Sequence, residues 1–159
     1  LNTPVEVLET AYPLRVERYG LRADSAGAGE YRGGLGVRRD ISVRDHEARF
    51  SVLADRQLSQ PYGLFGGEPG APGRVVRQAP DGTTERLPAK STHTLAPGTT
   101  VSLRTPGGGA YGDPAERARN AIARDLRSGV LSVGAAREAY GDAVVAAVIA
   151  SANRDSSDS

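Results

Sequence analysis

Three arginines, Arg32, Arg38 and Arg56, lie in or beside glycine-rich stretches of the chain. A guanidinium presents a planar fork of donors that matches a carboxylate or a phosphate. The three are therefore candidates for binding an anionic substrate, with surface salt bridging as the competing reading of each. Lys90, between Ala89 and Ser91, reads as a solvated cation. The two histidines, His46 and His93, have no second histidine or carboxylate at ligand spacing, so no metal site is expected. No nucleophile-elbow pattern supports a Ser-His-Asp arrangement, and no residue can be assigned a catalytic role. The absence of cysteine excludes thiol catalysis, a disulfide scaffold and cysteine-ligated zinc, and it is compatible with a reducing cytoplasm.

Glycine is the next type that could do chemistry, by cradling phosphate. Its densest loops are Gly27 to Gly36, Pro61 to Gly70 and Thr105 to Pro114. A phosphate-binding loop needs a Lys-Ser/Thr pair after its last glycine, and none of the three has one. The dinucleotide fingerprint also fails: Gly27 and Gly29 are followed by Gly33, one residue late, with no βαβ unit around them. The third loop runs into a helix start, which favours anions, but Asp113 occupies that end and would repel a phosphate. The glycines at Gly33, Gly34, Gly66, Gly67, Gly107, Gly108 and Gly109 therefore read as structural turns with close backbone approach.

The elements that must position these residues are strands first and helices later. Leu35, Val37, Ile41 and Val43 share one parity, opposite Gly36, Arg38, Asp40, Ser42 and Arg44: a strand with one buried and one wet face. Arg39 falls on the apolar parity, which a bulge or an inward-pointing arginine would explain. Ala48, Phe50, Val52 and Ala54 alternate in the same way beyond a polar turn, and the two runs are expected to form a hairpin. A second hairpin is expected around Ala79-Pro80-Asp81-Gly82, and a further strand at Thr99–Arg104. At Asp113-Pro114-Ala115-Glu116 the pattern becomes helical, with a cap, a proline at the first position and a capping-box glutamate. Ala118, Ile122 and Leu126 then repeat every four residues up to Gly129. Glu116, Arg117, Arg119, Arg124, Asp125 and Arg127 read as its wet face. A second helix runs from Ser132 to Tyr140, and a third starts at Asp142.

The fold class expected is α+β: mainly antiparallel β, sandwich or barrel-like with hairpins, followed by a small helical appendage. The ranges are 1–112 for the glycine-studded β domain, 113–153 for the helices and 154–159 for a disordered tail. Two Phe, no Trp and no Met leave the core to Val, Leu, Ile, Ala and Tyr. Net charge is +1, with acidic and basic residues mixed and no aromatic–basic interleaving, so no nucleic-acid partner is expected. No apolar run approaches the roughly 20 residues of a membrane span, and the start lacks a leader pattern.

Six motifs, in order, resemble the end of the hydantoinase B/5-oxoprolinase large subunit, a family that includes an acetone/acetophenone carboxylase branch. They are Leu1 to Glu6, Tyr12 to Glu17, Gly29 to Gly36, Gly66 to Gly70, Thr105 to Gly109 and Tyr111 to Pro114, with Arg124-Asp125 and Tyr140-Gly141 after them. Ala110 departs from the pattern, which more often has a fourth glycine there, and the resemblance ends near Gly141. It implies a B-type chain several times longer, working with an A-type subunit that binds ATP. Together such proteins open cyclic amides such as hydantoin or 5-oxoproline, or carboxylate ketones. ATP and a divalent metal are implied for the complete enzyme, with the metal ligands in the N-terminal part of the B subunit and no cofactor bound by this segment. Leu1 falls inside a motif that continues upstream in the family, so a fragment, split gene product or cleaved chain is expected, inactive alone and cytoplasmic. The alternative is a β-rich binding or assembly module without turnover.

Overall fold

The computed structural model describes residues 3–155, with side chains as far as residue 151. The fold is α+β. Helix α1 (Val5–Ala11) is followed by strands β1 (Leu14–Leu21), β2 (Val37–Val43), β3 (Ala48–Leu53), β4 (Arg74–Gln78), β5 (Thr84–Leu87), β6 (Lys90–Leu95) and β7 (Thr100–Arg104). A 3-10 turn (Pro114–Glu116) leads to helices α2 (Arg119–Arg127), α3 (Val133–Tyr140) and α4 (Asp142–Asp155). Among the described residues no helix is long and apolar enough to cross a membrane.

The chain forms two compact units. One comprises the chain up to Gly20 with Val37–Ser59 and Gly73–Thr105; the other comprises Leu21–Gly36, Gln60–Pro72 and the chain from Pro106 on. Both are discontinuous in sequence, whereas the ranges 1–112 and 113–153 are continuous.

The first unit holds a five-stranded sheet of order β1-β2-β7-β4-β5 and a two-stranded sheet, β3-β6. The β2–β7, β7–β4, β4–β5 and β3–β6 pairings are antiparallel. Val43, Val75, Leu87 and Val101 from the larger sheet meet Val52 and Leu95 from the smaller in one core. Branched and β-branched side chains fill it because the sequence offers little else.

The hairpin expected between β2 and β3 does not form. Each strand has its own sheet, and residues 44–47 carry the chain from one to the other. Alternation fixes which face of a strand is buried but says nothing about its partner. The β4–β5 hairpin is as expected: Gly82 has φ +87°, its amide donates to Ala79 O (2.9 Å), and Asp81 Oδ1 accepts from Thr83 N (2.9 Å). No bulge accommodates Arg39, because the β2–β7 register is unbroken from Arg38 to Ser42. Its guanidinium instead lies 5.3 Å from the centre of the Tyr19 ring, a cation–π contact.

In the second unit Asp113 caps the 3-10 turn, its Oδ1 accepting from Ala115 N (2.9 Å). The single helix expected from Pro114 is broken: Arg117 and Ala118 are extended, with ψ 127° and 130°, before α2 begins. Ile122, Ala136, Val145 and Val148, from α2, α3 and α4, are buried. Ser132 Oγ caps α3 through Ala135 N, and Gly129 and Gly141 take positive φ where α2 and α3 end. Arg154 and Asp155, placed in the tail by sequence, belong to α4. The rest of that tail, 156–159, lies outside the described residues.

Candidate functional site

The three glycine loops pack backbone to backbone in the second unit. Gly27 N donates to Gly108 O, Gly108 N to Gly34 O, Glu68 N to Ala28 O, Ala110 N to Glu68 O and Leu64 N to Ala110 O, all within 2.7–3.0 Å. Tyr31 and Tyr111 exchange amide–carbonyl bonds of 2.9 and 3.0 Å. Such proximity leaves no room for side chains: a Cβ at Gly33 would overlap the Gly108 carbonyl, and one at Gly109 the Tyr62 carbonyl. Gly67 and Gly107 are equally enclosed and Gly66 has φ +91°, but a Cβ at Gly34 would meet open space. Ala110, the departure from the family pattern, is buried, and a Cβ on Gly29 would lie 2.8 Å from its methyl.

The amides of Gly27, Gly33, Gly67, Gly70, Gly107, Gly108 and Gly112 all donate to backbone carbonyls. They are committed to holding the loops together and do not form a phosphate cradle. Among the described residues no group of three His, Cys, Asp or Glu converges as a metal site. Among the described residues these glycine amides thus have backbone partners, and a nucleotide or a divalent metal would need groups other than these.

A cleft of about 260 Å³ opens beside these loops. Its walls come from the first and second loops, the α2–α3 connection and α3, with Asp24, Arg32, Glu68, Glu138 and Tyr140 as its polar lining. Arg32 is held rigidly: Nε donates to Asp125 Oδ2 (3.0 Å) and Nη1 to Gly33 O (3.0 Å). A guanidinium has five N–H groups, so Arg32 keeps donors for a ligand. Asp125 also accepts from Arg117 Nη2 (2.6 Å), and both side chains of this second pair are almost fully buried. Arg117 Nη1 donates to Glu30 O (3.0 Å), and its guanidinium lies 5.8 Å from the centre of the Tyr140 ring. Burial, the largest influence on Tyr140, raises its pKa above the usual tyrosine value and keeps the hydroxyl protonated. The cleft thus combines one pre-oriented arginine with the exposed carboxylates Asp24, Glu68 and Glu138, an arrangement in which the remaining guanidinium donors can hold a neutral carbonyl oxygen.

Arg117 and Asp125 correct the sequence reading, which put both on a wet helix face. Asp125 lies one turn from Ile122, on the inward stripe, and two arginines neutralise it there. That i, i+3 spacing was the available signal. Arg117 gave none, because the break before α2 turns it inward.

The other two sequence candidates lie in the first unit. Arg38, on β2, forms an ion pair of 2.6 Å with Asp40. Arg56 is exposed at φ +58°, beside a shallow depression with Asp55, Gln57, Leu58, Ala89 and Lys90. The histidines are in the same unit, where His93 Nε2 shares a hydrogen bond with Ser91 Oγ (2.8 Å).

The chain belongs to the hydantoinase B/oxoprolinase family, whose model matches residues 1–114. An uncharacterized protein of Methanocaldococcus jannaschii is 42% identical over 142 residues, 88% of this chain and 24% of that protein. The beta subunit of caprolactamase from Pseudomonas jessenii is 34% identical over 146 residues, 89% of this chain and 25% of the relative. The crystal structure of ATP-dependent caprolactamase from the same organism matches with a TM-score of 0.76 at 31% identity, over 89% of this chain and 25% of that one. Nucleotide-free acetone carboxylase shares the fold, with a TM-score of 0.78 at 23% identity, over 96% of this chain and 26% of that one. The chain spans about a quarter of the length of these two curated relatives.

Proposed function

We propose that the chain works as the C-terminal segment of the B-type subunit of an ATP-dependent cyclic amidase, or of a related ketone carboxylase. In this reading it supplies a rigid glycine-packed scaffold and an arginine-bearing wall, with the upstream B region and an A-type subunit providing the ATP chemistry. The observation that carries the reading is Arg32, fixed by Asp125 at the edge of a cleft with donors to spare. Its role is to orient a carbonyl oxygen of the substrate. Ring opening and carboxylation both present a carbonyl oxygen to such a donor. Membership of a family with ATP-dependent relatives supports the assignment, and the lack of cysteine suits a cytoplasmic location.

The test is ATP turnover with caprolactam, hydantoin, 5-oxoproline or acetone as substrate. The chain is assayed alone, then with the upstream B-type region and an A-type partner. We expect activity only in the reconstituted mixture, and Arg32→Gln in that mixture should raise KM about tenfold, the loss of one charge-assisted bond. Turnover by the isolated chain would overturn the reading. So would a reconstituted enzyme indifferent to the chain.

A further inference from the structure

On one face of the five-stranded sheet, three arginines stand side by side. Arg104 of β7 is the register partner of Arg38 on β2 and of Arg74 on β4. Register partners in a sheet project from the same face about 5 Å apart, so the three form a row about 10 Å long across the strands. The next row on this face is Asp40, Ser102 and Val76, and Arg86 of β5 is opposite Val76. Like charges placed directly opposite each other destabilise a sheet, and here two such pairs share one residue.

The chain compensates only part of this charge. Arg38 Nε donates to both Asp40 oxygens at 3.0 and 2.9 Å. Arg104 Nε has only a neutral partner, Ser102 Oγ (3.1 Å). Arg74 is exposed and forms no ion pair among the described residues. Arg86 Nη2 donates to the Gln57 carbonyl (2.9 Å), again a neutral group. Burial, followed by the charges of Arg38 and Arg74, pushes Arg104 below the ordinary arginine pKa, as expected of a cation short of counter-charge. Asp40 is held below its usual value, because bonds from Arg38 and Ser102 outweigh the opposing effect of burial; it is a committed anion within the row.

We propose that this sheet face docks an extended acidic polypeptide segment, whose carboxylates complete the row at Arg104 and Arg74. The layout favours a polypeptide over a compact anion. The donors lie along a line across the strands, with Arg74 exposed at its end, and do not converge on one point as a compact anion would require. Carboxylates at alternate positions of an extended chain are about 7 Å apart, which places two of them within the length of the row. The inference does not depend on the activity proposed above, since it concerns a face of the other unit.

The test uses the full chain and a fluorescent octapeptide of alternating Glu and Ser, read by anisotropy at low ionic strength. Arg74→Ala with Arg104→Gln should weaken binding about tenfold or more, as expected for two lost charge-assisted bonds. Arg119→Ala with Arg127→Ala, which removes the same charge from exposed positions on α2, should change it less than about twofold. Arg74→Ala alone, at an exposed position where folding is not at risk, should already weaken binding measurably. Equal weakening by the two double variants would overturn the proposal, as would no binding of the peptide. Displacement by inorganic phosphate as efficient as by unlabelled peptide would also overturn it, by assigning the face to a small anion.

Discussion

Asp125 serves two arginines through one carboxylate oxygen, which concentrates much of the cleft's rigidity in a single residue. Its bond to Arg117 is buried on both sides, whereas Arg32 is about a third exposed. Removing one partner of a buried pair leaves an uncompensated charge, which costs about 3–5 kcal/mol. Asp125→Asn keeps the shape and abolishes the charge, so urea denaturation should show a loss of that size. Arg32→Gln should cost about 1 kcal/mol or less, because solvent screens an exposed pair. A value below about 1 kcal/mol for Asp125→Asn would show that the cluster is not the anchor described. The sequence offers Arg32 as a candidate because it sits inside a glycine motif. Its orienting partner was not, because a charged residue on a helix is solvated by default.

At the scale of elements, the glycine loops act as one object made of three chain segments. Their interior is backbone, so they tolerate no side chain at the points of closest approach. Gly33 and Gly34 are adjacent in sequence yet differ completely in this respect. Gly33→Ala must displace the Gly108 carbonyl and should destabilise by about 3 kcal/mol or more, at the upper end of overpacking penalties. Gly34→Ala meets open space without a positive φ and should stay within about 0.5 kcal/mol. Thermal melts of the two variants check the contrast, and equal losses at both positions would refute the packing argument. The sequence reads these loops as turns that lack the known phosphate-loop patterns, but it could not reveal that they pack on one another, a contact between distant segments. The same limit explains the strands: the β4–β5 hairpin was readable from a local Pro-Asp-Gly turn, whereas β2 and β3 look like neighbours and belong to different sheets.

For the whole molecule, the two compact units exchange the chain at Gly20/Leu21, Gly36/Val37, Ser59/Gln60, Pro72/Gly73 and Thr105/Pro106. A cut after Gly112, at the boundary suggested by the change from strands to helices, therefore tests how the fold is built. The first unit would keep all seven strands and the Val43, Val52, Val75, Leu87, Leu95 and Val101 core. The second would lose the helices carrying Ile122, Ala136, Val145 and Val148, and Arg32 would lose Asp125. Hydrogen exchange on residues 1–112 should find the β2, β4 and β7 amides as protected as in the full chain. The amides of Gly27, Gly33 and Gly108 should exchange at least about tenfold faster, because local opening follows local contacts. If the loop amides stay fully protected, the glycine-studded region is a domain complete without its helices, and the continuous division is the physical one. If the strand amides lose protection as well, the units do not fold separately, and the helices stabilise the sheets as much as the cleft.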